Sequence, residues 1–507
     1  MPIFEHETHL PFARDDVFDW YSRPGALTRL HPPFAGKVIR EPTQGLADGS
    51  ESTLAINLPG LLGTSLTAMA DLVGSATSIP LRSWISWTSR HTDFRAGRGF
   101  TDEMISGPAS SWRHERQFDD DGAGTVLHEK VTYQLPLAGR IPGVVRDRIH
   151  RQFEAELRRI FDHRARQTSE DLAFQQGHRR LASQLQDAER DGDASPVRVV
   201  AVSGSSGMIG TQVCALLGGA GLEVRRLVRR PPQETDAQQG EIAWDPQAGH
   251  LDEESLRDVD VVIHLAGHPL AARFTEEHKE KVLSSRVDGT DLVARTLARL
   301  EQHDSRGRAL ISGSAIGWYG AQLQDRPHEE PVLTEDLPAG TDFLAETCQA
   351  WESATAPAAE AGVRVAMIRT GIVQSPLGGV LEQLVPLFAV GAGGPLGDQQ
   401  EQSWISIDDI ASLIVHLALD PRAEGPVNGV APEPVTARQY AKTLAAVMRR
   451  PSAIPVPSFG PKLMLGQQGA QEIAMADQHV SAEKAASLGF AFRHPRLTDA
   501  LHHLLGR

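Results

Sequence analysis

One segment constrains the fold of this chain more than any other. It is a short β-branched run that enters a glycine-rich turn and continues into a helical segment. Residues 199–210 read Val-Val-Ala-Val-Ser-Gly-Ser-Ser-Gly-Met-Ile-Gly. Gly204 permits a tight turn, Gly207 lets the backbone approach a phosphate, and Gly210 lets the helix pack closely against the strand. The amides and positive dipole end of that helix favour an anion. The order of strand, turn and helix predicts a dinucleotide-binding unit, the alternative being an ordinary strand-to-helix turn.

The predicted phosphate contacts come from the whole turn and the first residues of the helix. They are Gly204, Ser205, Ser206, Gly207, Met208, Ile209 and Gly210. An acidic residue at the end of the second strand would bind the ribose 2′-hydroxyl of NAD. This chain has Val228, Arg229 and Arg230 there, and a guanidinium fork suits a 2′-phosphate. We therefore predict NADP in preference to NAD, the alternative being that both arginines face solvent from a loop.

The glycine spacing resembles that of the extended short-chain dehydrogenase/reductase superfamily, which includes NAD(P)-dependent sugar-nucleotide epimerases and dehydratases. Segments 260–267, 309–314 and 364–373 resemble its fourth, fifth and sixth strands in order and spacing. Three short segments, at 285–287, 404–409 and 428–432, resemble those of an epimerase-like subfamily. Its members end in a short C-terminal domain of unknown role. The resemblance covers residues 197–507 and implies an α/β fold with a Rossmann-type, doubly wound parallel sheet.

The same resemblance implies cofactor contacts outside the glycine turn. They are Leu265, Ala266, Gly267, Lys281, Arg286, Ser312, Arg369 and Val373. The first three follow the fourth strand, beneath the cofactor, and the last three belong to the strands and turn on the nicotinamide side. Lys281 and Arg286 lie on a helix that would cross the cofactor and meet a phosphate or ribose. For these two residues the alternative is a solvated helix face.

Reductases and epimerases of this superfamily combine a serine or threonine with a Tyr-x-x-x-Lys motif. The serine and tyrosine hold the substrate oxygen, and the lysine binds the ribose and lowers the tyrosine pKa from about 10. The motif is missing here, because none of the four tyrosines is followed by lysine four positions later. When the chain is aligned on Glu352, the tyrosine and lysine places hold Leu344 and Cys348.

The residues left for acid/base chemistry are Ser314, at the end of the fifth strand, and Tyr319. Tyr319 would approach the nicotinamide from another side, the alternative being a packing residue at the rim of the cleft. Cys348 is disfavoured as a nucleophile because it lies within a helical pattern with no evident histidine base. The chain has no His-Glu-x-x-His and no paired Cys-x-x-Cys, so we expect no metal site.

Composition excludes several other classes of protein. The net charge is −15 and no long basic stretch lies beside clustered aromatic residues, so we expect no nucleic-acid partner. The two cysteines, Cys214 and Cys348, exclude a disulfide framework and indicate a reducing cytosol. The N-terminus resembles no leader, and no apolar run reaches about 18 residues. We therefore expect a cytoplasmic protein without a membrane span that acts on a small-molecule substrate.

A polar, charge-rich stretch divides the 507 residues near position 195. We predict an N-terminal domain over residues 1–165 and a polar helical tail and linker over residues 166–196. An NADP-binding domain with a substrate lobe follows over residues 197–455. A short C-terminal domain over residues 456–507 is expected to pack on that lobe.

The N-terminal segment has a pattern of its own. A strand over residues 3–10 and a helix from residue 13 precede segments that alternate between apolar and polar residues, as half-buried antiparallel strands do. Two such segments contain Trp112, His114, Arg116 and Phe118, and Leu127, Glu129, Val131 and Tyr133. A final helical stripe of Ile149, Phe153, Leu157 and Ile160 is typical of a helix packed on a sheet.

This order of elements, with the phrases at 22–26, 31–34 and 107–112, resembles the START-like, polyketide-cyclase-related (SRPBCC) helix-grip fold. The resemblance implies an α+β domain whose curved sheet wraps its last helix around an apolar cavity for a lipophilic ligand. The alternative is a filled cavity that serves as a docking surface. His114 and Arg116 are candidates to line the cavity, the alternative being the wet face of a strand.

Two functions of different class follow from these observations. In the first, which we favour, the chain is an NADP-dependent oxidoreductase or epimerase-like enzyme with an atypical acid/base. Its N-terminal domain would then capture an apolar substrate. In the second, it is a non-catalytic dinucleotide-binding sensor or scaffold whose helix-grip domain carries the output. The glycine turn supports cofactor binding in both, and the missing tyrosine–lysine pair favours the second.

Overall fold

The computed structural model describes residues 1–57, 85–136, 142–188, 197–229, 240–321, 332–451 and 465–507. Of the predicted site residues, Arg230 lies outside these ranges.

The N-terminal half is built on an antiparallel sheet. Its strands are β1 (Ile3–Leu10), β2 (Gly36–Arg40), β3 (Thr43–Leu46), β4 (Glu51–Ile56), β5 (Ile85–Arg95), β6 (Gly99–Ser106), β7 (Ser111–Asp120) and β8 (Thr125–Gln134). All but β3 form one seven-stranded sheet of order β1-β8-β7-β6-β5-β4-β2. Its pairings are antiparallel throughout. The alternating segments identified in the sequence lie in β7 and β8, where the period of two turns every second side chain to one face.

Among the described residues, three helices accompany this sheet. They are α1 (Arg14–Ser22), α2 (Ala26–Leu30) and α3 (Gly143–Ala188). Three of the four residues of the predicted apolar stripe of α3 lie on the sheet. Leu157 is buried, together with Phe161, against Phe4, Val131 and Tyr133, and Phe153 and Ile160 pack against the same cluster. The prediction was wrong for Ile149, which is 39% exposed. This arrangement leaves a cavity of about 290 Å³ between α2, α3 and the strands.

The second half confirms the predicted α/β architecture. Its elements are β9 (Val199–Ser203), α4 (Met208–Gly219), β10 (Glu223–Val228), β11 (Glu241–Asp245), β12 (His250–Leu251), β13 (Val261–His264), α5 (Glu276–Asp304), β14 (Ala309–Ala315), α6 (Phe343–Ser353), α7 (Ala356–Glu360), β15 (Arg364–Thr370), β16 (Ile372–Gln374), α8 (Gly379–Ala389), β17 (Glu401–Gln402), β18 (Trp404–Ser406), α9 (Ile407–Leu419), β19 (Gly425–Gly429), β20 (Val435–Thr436), α10 (Ala437–Met448), α11 (Glu483–Ser487) and α12 (Leu497–Leu505). An eight-stranded sheet has the order β12-β11-β10-β9-β13-β14-β15-β19, and every pairing except that of β12 is parallel. The β-branched run that opens the motif forms β9, a central strand buried on both faces.

Helix α3 belongs to both halves. It continues past residue 165, where the sequence suggested a limit between domain and tail. In the predicted polar tail, Gln167, Thr168 and Asp171 are buried. The domain boundaries at residues 165, 196 and 455 remain predictions. Among the helices described, none is long and apolar enough to cross a membrane.

A buried ionic cluster joins the two halves. Arg29 on α2 places Nε 2.9 Å from Asp171 Oδ2 on α3 and Nη2 2.8 Å from Asp408 Oδ1 on α9. Its Nη1 donates to Gln212 Oε1 on α4, the helix that follows the glycine turn, at 2.7 Å. Arg493 donates from Nη1 to Asp171 Oδ1 at 2.7 Å. Because the side chains of Arg29, Asp171 and Asp408 are nearly inaccessible to water, each charge depends on its ionic partners, and the contacts of Arg29 with Asp408 and of Asp171 with Arg493 join the two halves.

Candidate functional site

The glycine turn lies at the carboxyl end of β9, where α/β folds bind ligands. Gly204 has φ +68°, and a Cβ there would lie 2.8 Å from the carbonyl carbon of Leu265. A Cβ on Gly210 would lie 2.2 Å from the Gly204 oxygen, so the first turn of α4 packs directly on the loop. Gly207 is the residue before α4, and its amide donates to Gly204 O at 2.9 Å. The first amides of α4 have no acceptor within the helix and are available to an anion.

A buried serine holds the neighbouring loop beside this turn. Ser203 Oγ lies 2.8 Å from His264 Nδ1 and accepts the Leu265 amide at 3.1 Å and the Ala266 amide at 3.3 Å. Burial lowers the pKa of His264 to about 4, so the imidazole is neutral near pH 7. The ends of β9 and β13 are thereby joined, and Leu265 and Ala266 lie next to Gly204.

Two arginines provide positive charge near this edge. Arg229 follows β10 and is exposed. Arg286 is half-buried, and its guanidinium carbon lies 5.0 Å from the centre of the Trp351 ring. Its Nη1 donates to the carbonyls of His268 and Val282 at 3.1 and 3.0 Å. Within the described ranges, no carboxylate lies within 4.0 Å of either guanidinium. Burial lowers the pKa of Arg286, as expected for a cation without a counter-ion.

The remaining predicted cofactor residues occupy different environments. Lys281 is exposed and donates to Glu277 at 2.6 Å, so its charge is already paired. Gly267 lies beneath Arg286, because a Cβ there would be 3.5 Å from the guanidinium carbon. Ser312 is buried and donates to Gly313 O at 3.2 Å. Half-buried Val373 lies on β16 and pairs with β18.

Ser314, Tyr319 and Arg369 are brought together in one buried network. Ser314 Oγ donates to Glu352 Oε1 at 2.6 Å, and Arg369 pairs with both oxygens of that carboxylate at 2.8 and 2.9 Å. Tyr319 Oη accepts from Arg369 Nη1 at 3.2 Å and donates to Asn428 Oδ1 at 2.7 Å. Tyr319 is 1% exposed, and burial raises the pKa of its hydroxyl. In this structure Arg369 and Tyr319 organise the network, and their polar atoms are engaged by other side chains.

The place of the superfamily's tyrosine and lysine is occupied by packing residues. A Cβ on Gly317 would lie 3.2 Å from Leu344 Cβ and 3.6 Å from Cys348 Sγ, so both side chains lie against that turn. Burial raises the pKa of Cys348 to about 12, and its thiol points to Ala315 O at 3.6 Å. A thiol in this environment stays protonated and is a poor nucleophile.

Sequence reasoning missed a carboxylate beside this place. Glu472 Oε2 accepts the amide of Leu344 at 3.2 Å, and Oε1 accepts from Gln468 at 2.8 Å. Burial, with Asp342 nearby, raises the pKa of Glu472. A carboxyl group with a raised pKa keeps its proton to a higher pH than an ordinary glutamate, which suits a group that donates a proton. No local pattern reveals this pairing, because Glu472 and Leu344 are 128 positions apart in the chain.

Comparison with known proteins assigns families to most of the second half. Residues 200–429 match the NAD dependent epimerase/dehydratase family, and residues 456–504 match a domain of unknown function, DUF1731. An epimerase family protein of Mycobacterium bovis is 36% identical over 311 residues, which are 61% of this chain and 98% of that protein. The human epimerase family protein SDR39U1 is 30% identical over 312 residues, which are 60% of this chain and 99% of that protein.

Two solved structures extend these similarities. A nucleoside-diphosphate sugar epimerase from Corynebacterium glutamicum is 32% identical, with a TM-score of 0.73, and the match covers 99% of this chain and 90% of that one. Both halves therefore have a structural counterpart in one relative. Human SDR39U1 solved with NADPH is 26% identical, with a TM-score of 0.52, over 61% of this chain and 99% of that one.

Proposed function

Because this chain belongs to the NAD dependent epimerase/dehydratase family, we propose that it is an NADP(H)-dependent oxidoreductase or epimerase-like enzyme acting on a small molecule. The membership confirms the predicted resemblance, including the short C-terminal domain of unknown role. The observation that carries the proposal is the glycine turn at the carboxyl end of β9, with Arg229 following the adjacent β10. The nicotinamide would exchange a hydride with the substrate.

The residues present fit this cofactor. Side chains at Gly204 or Gly210 would collide with backbone, so the turn keeps the bare surface that a pyrophosphate needs. Exposed Arg229 suits the 2′-phosphate, and Arg286 supplies a second cation without a carboxylate partner among the described residues. The structure of human SDR39U1 with NADPH supports the choice of NADP for this chain.

The choice between NADP and NAD is tested by reversing one charge. We expect Arg229→Glu to weaken NADPH binding about ten- to a hundredfold and to leave NADH affinity nearly unchanged. The reason is that a charge-assisted hydrogen bond is worth about 1.5–3 kcal/mol. The measurement is a fluorescence titration with each nucleotide. Arg257 precedes β13 and so lies at the amino ends of the parallel strands, away from the glycine turn. Arg257→Glu makes the same charge change there and should bind NADPH as the wild type does. Equal affinities of Arg229→Glu and the wild type for NADPH would contradict the NADP assignment.

We propose Glu472 as the acid/base that replaces the missing tyrosine and lysine. The support is its raised pKa and its hydrogen bond from the backbone amide of Leu344, the residue in the tyrosine place. Glu472→Gln should lower turnover about 10²- to 10⁴-fold and leave the NADPH dissociation constant unchanged. The assay is NADPH oxidation with carbonyl compounds and sugar nucleotides, and the control is Glu346→Gln on the exposed face of α6.

A non-catalytic dinucleotide sensor is the second candidate. It is favoured by the packing roles of Leu344 and Cys348 and by the engaged hydroxyl of Tyr319. Tight NADPH binding by the wild type with no turnover on the whole panel would support the sensor over the enzyme. Full turnover by Glu472→Gln would instead remove Glu472 from the proposal and leave the enzyme in place.

We further propose that residues 1–165 form a START-like helix-grip domain that holds a lipophilic ligand. The antiparallel sheet, the long helix α3 and the cavity of about 290 Å³ support this proposal. His114 and Arg116, predicted as lining candidates, border the cavity and are buried.

A further inference from the structure

The cavity of the N-terminal half combines apolar walls with one group of charged side chains. Its volume of about 290 Å³ is near the lower end of the range for small-molecule sites. The apolar lining includes Leu30, Phe34, Trp87, Trp112, Phe153 and Leu157. Arginines, histidines, an aspartate and two glutamates, Glu41 and Glu156, border the same space, so its ligand needs both an apolar body and a polar group.

Two carboxylates, Asp102 at the cavity and Glu129 beside it, lie close to arginine and histidine nitrogens. Asp102 lies 2.5 Å from Arg116 Nη1 and 2.9 Å from His91 Nε2. Glu129 lies 3.1 Å from His114 Nε2 and 3.5 Å from Arg116 Nε. Although burial opposes ionisation of Asp102, Arg116 and His91 lower its pKa strongly. Of the lining glutamates, Glu41 accepts the Thr28 amide at 2.8 Å and Glu156 pairs with Arg159, so these carboxylates have partners of their own.

Arg164 is a cation at this cavity without such a partner. It projects from α3 into the lining, and its Nε is buried without a hydrogen bond. Within the part of the chain that the structure describes, no carboxylate lies within 4.0 Å of its guanidinium. Its guanidinium carbon lies 5.2 Å from the centre of the Phe161 ring. Burial, followed by the charge of Arg116, lowers the pKa of Arg164, although the charges of Glu129 and Asp102 oppose this shift. A cation without a directly paired carboxylate is less stable where water is largely excluded, so an anion at this place would be stabilising.

His31 offers a second group for the same anion. It lines the cavity, is 9% exposed, and its Nε2 is buried without a hydrogen-bond partner. Burial, followed by the charge of Arg164, lowers the pKa of His31 to about 3, so the ring is neutral near pH 7. With its proton on Nε2, a neutral imidazole donates one hydrogen bond to a carboxylate.

We propose that this cavity binds an amphipathic carboxylic acid, with the carboxylate on Arg164 and His31 and the apolar body among the aromatic residues. The inference rests on the proposed lipophilic-ligand function of the N-terminal half and adds the charge of the ligand. The geometry that carries it is a cation without a paired carboxylate and an imidazole nitrogen without a hydrogen bond, both judged among the described residues and both bordering one apolar cavity.

The test compares ligands of one length and different charge on the full chain. Calorimetric titration uses decanoate, decanol and decyl phosphate with the wild type, Arg164→Met and Arg158→Met. Arg158 lies on the same helix and is mostly exposed, so it controls for the loss of one positive charge. We expect decanoate to bind the wild type and Arg158→Met at least tenfold more tightly than decanol and decyl phosphate. For Arg164→Met we expect the preference for decanoate over decanol to disappear.

Thermal unfolding without ligand separates ligand binding from a structural role. Arg164→Met should unfold at the same or a higher temperature than the wild type, because it removes an unpaired buried charge. A lower unfolding temperature together with unchanged decanoate affinity would overturn the proposal.

The remaining outcomes distinguish this inference from its premises. Equal binding of decanoate and decanol by the wild type would overturn the anionic ligand and leave the lipophilic cavity. Tighter binding of decyl phosphate than decanoate would replace the carboxylate by a phosphate monoester. Binding of none of the three probes by a sample that still binds NADPH would overturn the cavity function alone.

Discussion

Arg29→Met should lower the free energy of unfolding by about 3–5 kcal/mol, because removing one partner of a buried ion pair leaves the other charge uncompensated. Asp171 and Asp408 would lose a guanidinium within 2.9 Å and 2.8 Å in a region closed to water. The contact joins α2 to α9, so the loss also weakens the attachment of the N-terminal half to the dinucleotide-binding half. Urea unfolding followed by fluorescence measures this change, since Trp20 and Trp404 are both buried.

The control for this prediction is an exposed ion pair. Arg40 is about half exposed and lies 3.6 Å from Glu51, so Arg40→Met should change stability by no more than about 1 kcal/mol. If Arg29→Met were as stable as Arg40→Met, the buried cluster would make no net contribution to the free energy of unfolding.

The effect of Arg29→Met should also depend on pH. Burial opposes ionisation of Asp408, yet Arg29 and His503 hold its pKa well below the ordinary value of 3.8. A carboxyl group whose folded pKa is depressed contributes stability above its unfolded pKa and loses it as pH falls through the folded pKa. The difference between wild type and Arg29→Met should therefore be full above about pH 5 and shrink below about pH 4.

Gly210→Ala should weaken NADPH binding about five- to a hundredfold. The new Cβ would lie 2.2 Å from the oxygen of Gly204, so α4 or the turn must shift away from the phosphate position. Overpacking of this kind costs about 1–3 kcal/mol, and about 2.8 kcal/mol corresponds to a hundredfold change in affinity. The same fluorescence titration used for Arg229→Glu measures the loss.

A second helical glycine provides the matched control. Gly177 lies in α3, and a Cβ there would meet no atom within 4 Å. Gly177→Ala should bind NADPH as the wild type does and be up to about 1 kcal/mol more stable, because alanine has the higher helix propensity. Wild-type NADPH affinity in Gly210→Ala would contradict the assigned role of the glycine turn.

Local sequence determined much of the fold of the second half. The β-branched run of β9, the glycines that follow it and Arg229 after β10 lie where the motif predicted, because strand, turn and helix formation depend on neighbouring residues. The sequence also showed the absence of Tyr-x-x-x-Lys, because that motif has a fixed spacing on one helix. The alternation of apolar and polar residues in β7 and β8 could also be predicted from the sequence, since a period of two depends only on neighbouring residues.

Contacts between distant segments were decided only by the tertiary structure. The spacing of Arg369 and Glu352 does not show that they form an ion pair beneath Ser314, and nothing local brings Glu472 to Leu344. The polar stretch after residue 165 was predicted to be a helical tail and linker, and its sequence does not show that Asp171 is buried between Arg29 and Arg493.

The sequence by itself determined the Rossmann unit, the place of its phosphate-binding turn and the loss of the usual catalytic pair. The tertiary structure alone decided which charges are paired. It pairs Arg29 and Arg369 with buried carboxylates and leaves Arg164 without a carboxylate partner among the described residues. The physical reason is that backbone geometry and side-chain periodicity act over a few residues, whereas the free energy of a buried charge depends on every group that packing brings near it.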